Sequence, residues 1–102
     1  MTRNKKRIFA ELLDVAPDEL YGWRLMELTG IKAGSLYPAL RGMRDAGMIV
    51  DRMERVDGTD RFRRYYRLTP GGLRVAQELA AGGDWRVWVP GLTNTSQWGW
   101  RT

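Results

Sequence analysis

The chain has 102 residues, of which 43% are apolar and 28% charged, which is enough for one modest core and one domain. Lys and Arg total 17 against 12 Asp and Glu, a net charge of +5, and the pI is near 10.1. There is no Cys and no His, which excludes disulfides, thiolate chemistry, Cys/His zinc sites and imidazole-based triads.

No apolar run approaches the roughly 20 residues of a membrane span. The basic start, Arg3 to Arg7, leads into an apolar stretch broken by Glu11 and Asp14, unlike a signal peptide. A small, soluble, cytoplasmic domain is therefore expected, with no membrane partner. Such a pI is the footprint of a nucleic-acid binder, or equally of a solvated basic face.

In chain order, Ile8, Leu12 and Val15 recur at helical spacing over residues 8 to 16. The four cations between Arg3 and Arg7 read either as an arm along a nucleic-acid backbone or as a frayed terminus, with the second favoured. Pro17 interrupts, and Asp18 is suited to cap a second helix carrying Tyr21, Leu25 and Leu28, ended by Gly30. A third helix is predicted from about Ala33 to Ala46, on Leu36, Leu40 and Met43, with Pro38 inside it and Gly47 as its stop.

The period then changes. Met48 to Val56 reads as a strand, Asp57 to Asp60 as a turn, and Arg61 to Leu68 as the returning strand. Phe62, Tyr66 and Leu68 share the packing face; Arg61, Arg63, Tyr65 and Arg67 share the other. Thr69 caps a fourth helix with Pro70 at its first position, Leu73, Ala76, Leu79 and Ala80 on its apolar stripe, and Gly82-Gly83 closing it. Asp84 to Thr102 has no helical period and holds four of the five Trp residues.

The predicted fold class is mainly α with a small β-hairpin. Helix, helix, helix, hairpin, helix is the order of a winged helix-turn-helix. Residues 1–83 form that domain and 84–102 a Trp-rich C-terminal tail.

Four separated motifs are more specific than the order. Tyr21-Gly22-Trp23, Gly34-Ser35-Leu36-Tyr37-Pro38-Ala39-Leu40, Gly47-Met48-Ile49 and Arg64-Tyr65-Tyr66-Arg67-Leu68-Thr69 closely resemble the PadR family of transcriptional regulators over about residues 8 to 80. The resemblance implies a homodimeric winged-helix repressor of a near-palindromic operator in double-stranded DNA. It also implies a dimer built on the first helix and a long C-terminal helix, with Ile8, Phe9 and Leu12 as candidate dimer or partner residues, and a small aromatic effector. Three places depart from the pattern. Lys32-Ala33 stand where the family often has Ser-Pro, the wing turn from Val56 to Asp60 is short, and the last helix is cut at Gly82-Gly83.

A recognition helix meets base edges through its N-terminal residues, which makes Lys32, Ser35, Tyr37 and Arg41 the reaching side chains. Ala33 and Gly34 let the backbone approach phosphate, and Pro38 lies on the same segment. On the wing, Arg61 and Arg63 are expected at DNA. Arg64 and Arg67 are divided between DNA contact and ion pairs with Asp51, Glu54, Asp57 or Asp60. Tyr65 and Tyr66 are expected to pack, whereas Trp23 either packs or lines a pocket.

Trp85 and Trp88 are expected to fold back over the domain. The alternatives are a dimer or partner surface that includes Trp98 and Trp100, or an aromatic slot for a planar ligand. No cofactor, metal or catalytic group is predicted. The competing functional readings are a protein-interaction module using the Trp tail and a nonspecific architectural DNA binder. The excess of Arg over Lys suits a compact, GC-rich genome such as a phage's.

Overall fold

The structure, a computed structural model, describes residues 2–82. Helix α1 spans Arg3–Val15, strand β1 Leu20–Tyr21, helix α2 Gly22–Thr29 and helix α3 Ala33–Asp45. Strands β2 (Ile49–Arg55) and β3 (Phe62–Leu68) form the hairpin, and α4 covers Pro70–Gly82. The antiparallel sheet has the order β1-β3-β2. This is the winged-helix arrangement expected, with a third, two-residue strand added.

Helix α1 starts five residues before its apolar period does. Thr2 caps it, its hydroxyl accepting from the Lys5 amide at 3.2 Å. The basic run is thus helical, neither arm nor frayed end. Arg7 donates to the Thr29 carbonyl at 3.4 Å, and the Lys5 ammonium lies 3.5 Å from where a Gly42 Cβ would stand. The Arg7 bond ties the first turns to the end of α2, and the Lys5 side chain lies beside α3. Ile8, Phe9 and Leu12 are fully buried, because α2, α3 and α4 all pack on α1. Their predicted surface role therefore gives way to a core role.

Asp18 does not cap α2. Asp18 lies in a bend, and Leu20 and Tyr21 after it are extended because they pair with Tyr66 and Tyr65 of β3. The helix starts only at Gly22 and ends where Gly30 turns left-handed at φ 74°. Thr29, buried there, donates to the Leu25 carbonyl at 2.6 Å and accepts from the Ile31 amide at 3.1 Å. A buried hydroxyl so satisfied carries no desolvation penalty.

The core is continuous from α1 through Leu25, Leu36, Leu40 and Met43 to Ile49, Tyr66 and Ala76. Each large aliphatic or aromatic side chain buried in this way contributes about 1.5–3 kcal/mol. Phe62, predicted on the packing face with Tyr66 and Leu68, is instead 55% exposed. It pairs with Arg55 at the far end of the hairpin, where the strands outrun the helices.

Thr69 joins the wing to α4. Its hydroxyl donates to the Gly47 carbonyl at 2.6 Å and accepts from the Gly72 amide at 3.0 Å. Gly72 sits so close to the Met48 carbonyl that a Cβ there would collide with it. Among the described residues no helix is long and apolar enough to cross a membrane. The Trp-rich tail, with Trp85, Trp88, Trp98 and Trp100, lies outside the described residues.

Candidate nucleic-acid interface

Helix α3 buries Leu36, Leu40 and Met43 and turns the rest outward. Lys32, Ala33, Gly34, Ser35, Tyr37, Pro38 and Arg41 are all exposed. The first turn holds no acidic residue, and Lys32 supplies no side-chain cap, as the departure from Ser-Pro predicts. Its first amides are therefore open to an anion, and the positive end of the helix dipole favours one. Nothing lies within 4 Å of the position a Gly34 Cβ would take. Pro38 is accommodated inside the helix, although it removes one backbone donor.

Tyr37 is 39% exposed, so it is neither core nor free. Its hydroxyl lies 2.6 Å from where a Gly22 Cβ would be. Two of the sequence motifs meet here: Gly22 leaves the space that the Tyr37 ring occupies.

The wing Arg residues separate by partner. Arg61 stands in the turn, exposed, with no side-chain partner among the described residues. Arg63 lies over the Tyr21 ring at 4.4 Å. Tyr21 meets Tyr65 edge-on at 5.8 Å, and Arg52 covers Tyr65 at 4.8 Å. Glu19 holds Arg52 through contacts of 2.7–2.9 Å. This ladder stiffens the outer face of the sheet, and the Arg52 hydrogen bond holds the Glu19 carboxyl below its usual range.

Arg64 donates to Asp51 at 2.7 Å, so the ion-pair reading holds for it. Arg44 of α3 reaches the same oxygen at 3.4 Å. These three residues tie the wing to the recognition helix. The Arg64 hydrogen bond, more than the Arg44 charge, keeps Asp51 below the usual carboxylate range. Arg67 remains exposed.

A groove of about 320 Å³ opens where the start of α2 faces the wing. Tyr21, Gly22 and Trp23 line it from β1 and α2, Tyr37 from α3, and Phe62, Arg63 and Arg64 from β3. Trp23 is 59% exposed, which places it at the groove rather than in the core. Sequence reasoning left out Phe62 and Arg44 as interface residues. Arg44 follows Arg41 at helical spacing, a signal that was available, whereas nothing local marked Phe62 as exposed. Among the described residues no cluster of three or more metal-ligating groups exists.

Residues 16–78, more than half of the chain, match the profile of the Transcriptional regulator PadR-like family. This chain belongs to that family. PadR-like proteins are DNA-binding transcriptional regulators, not enzymes. Among solved structures, Bacillus subtilis PadR in complex with operator DNA aligns at TM-score 0.68 and 24% identity, over 78% of this chain and 48% of that one. The chain thus spans about half the length of the Bacillus protein. A PadR family transcriptional regulator from Eggerthella lenta aligns at 0.62 and 28% identity, over 90% and 83%. The circadian clock associated protein Pex from Anabaena aligns at 0.65 and 22%, over 84% and 81%. No curated protein matches the sequence.

Proposed function

We propose that this chain is a sequence-specific repressor that sets α3 in the major groove of duplex DNA and lays its wing on the adjacent backbone or minor groove. The observation that carries the reading is the outer face of α3. Lys32, Ser35, Tyr37 and Arg41 project from a helix start without acidic residues, while the other face is fully used by the core. Bidentate Arg and polar groups at a helix N-terminus read base edges. Arg61 and Arg63 on the wing supply charge for phosphates, giving salt-dependent affinity. Bacillus subtilis PadR, which shares the fold, has been crystallised with operator DNA, which supports the same class of partner here. Two copies related by a two-fold axis would read half-sites about one helical turn, roughly 34 Å, apart.

Selection of bound duplexes from a random library at near-physiological salt tests the reading. An enriched inverted repeat is the expected result. Binding without enrichment, or none at all, would overturn it.

A further inference from the structure

We propose that the groove between Trp23, Tyr37 and the wing is a clamp for one phosphodiester strand of the duplex. In it Arg63 takes the phosphate, and the Trp23 and Phe62 rings pack on the flanking deoxyribose. The inference rests on the DNA-binding reading and deepens it.

The argument begins with two exposed aromatic rings. Trp23 and Phe62 are 59% and 55% exposed, although the core beside them is well filled. Large apolar groups left in water at one place mark a contact surface. Both line the same groove as Tyr37. The groove contains no carboxylate among its lining residues, and it contains two guanidinium groups. These are not equivalent. Arg64 is neutralised by Asp51 at 2.7 Å. Arg63 is stacked on Tyr21 at 4.4 Å and forms no ion pair among the described residues. Stacking holds a guanidinium plane in place while leaving its in-plane N–H groups available, the arrangement that suits a phosphate.

Position supplies the occupant. A major groove and its neighbouring minor groove are separated by one sugar–phosphate backbone. A protein with α3 in the first and its wing on the second has that backbone between them. The groove is lined by Tyr37 of α3 and by Phe62, Arg63 and Arg64 of the wing, with the start of α2 as its remaining wall. Tyr37 seats against Gly22 in this lining, and Asp51, through Arg44 and Arg64, ties the wing to α3. An anion beside apolar sugar faces matches a cation that shares its groove with two exposed rings.

The test uses the full chain and the duplex recovered by selection, with methylphosphonate placed at one linkage at a time. Neutralising one linkage per half-site is expected to weaken the wild type about tenfold. Arg63→Gln is expected to bind the unmodified duplex less tightly and to be indifferent to that same linkage. Trp23→Ala is expected to lose about tenfold on the unmodified duplex with unchanged thermal stability, and Trp23→Phe to recover most of it. Undiminished sensitivity of Arg63→Gln at that linkage would overturn the clamp. So would Trp23→Ala affinity within about twofold of wild type, the result expected if the groove serves a protein or a small ligand instead. A wild type that binds no duplex would overturn the functional reading itself, a separate outcome.

Discussion

The Tyr37 hydroxyl occupies the space that a side chain at Gly22 would need, with 2.6 Å to the nearest Cβ position. One residue of the recognition helix is thereby seated by the first residue of α2. Gly22→Ala forces the phenol to swing away. Because the phenol is the far end of a side chain, the cost is modest, about 1 kcal/mol, or roughly 4–8 °C in Tm. Tyr37→Phe in the same chain removes the nearest atom and restores part of the loss. Thermal unfolding of the two variants checks this, and duplex affinity should fall with Gly22→Ala because Tyr37 is displaced.

Gly72→Ala is expected to be far worse. Here the obstacle is the Met48 backbone carbonyl, which cannot rotate aside. Helix α4 must lift from the turn at Gly47, at a cost of about 3 kcal/mol or more, at least about 12 °C in Tm. Thr69→Ala removes the cap of the same helix and costs about 1–2 kcal/mol, whereas Thr69→Ser keeps most of it. A calorimetric series of the three variants ranks them. A Gly72→Ala protein as stable as Thr69→Ser would contradict the packing described.

Glu11 makes stability depend on pH in an unusual direction. Burial pushes its carboxyl up to about 7, Asp14 adds to the shift, and Arg24 opposes it. The unfolded chain releases this proton near 4.5, but the folded chain keeps it until about 7. Stability from this group therefore falls as pH rises through that window and is level above it. Glu11→Gln is expected to match the wild type near pH 4.5 and to exceed it at pH 8 in urea unfolding. Asp51 and Glu19 act oppositely. Their carboxyls are held below the usual range, so their contribution is present above the unfolded values of 3.8 and 4.5 and is lost as pH falls through the lower folded values.

Arg41 and Arg61 are expected to differ in kind. Arg41→Ala should relax the base preference at one position of the selected site, by about 1–3 kcal/mol. Arg61→Ala should weaken all duplexes alike and reduce the salt slope by about one. Titrations at several salt concentrations, on selected and scrambled duplexes, separate the two. Equal losses on both duplexes from both variants would argue against direct readout by α3.

The helices, the hairpin and the outward face of α3 were legible in the sequence because each depends on local rules. Apolar spacing places Leu36, Leu40 and Met43 inside and leaves Lys32, Ser35 and Arg41 outside. Thr69-Pro70 announces a helix start through capping chemistry within four residues. Strand β1 was not legible, since two residues carry no alternation and its partners, Tyr65 and Tyr66, lie more than forty positions away. The start of α1 precedes its apolar period, so spacing missed it although Thr2 carries the local capping signal.

Winged-helix order, family and the solvent-facing side of α3 all follow from the sequence, because periodicity, caps and turn residues act over a few positions. Which Arg residues are paired and which are free is settled by packing between distant elements. Arg64 and Arg44 close on Asp51 and Arg52 closes on Glu19, whereas Arg61 is left without a partner among the described residues. The same packing also set Trp23, Tyr37 and Phe62 around one groove. Charges and rings along a chain look alike until folding brings distant carboxylates to some of them and solvent to the others.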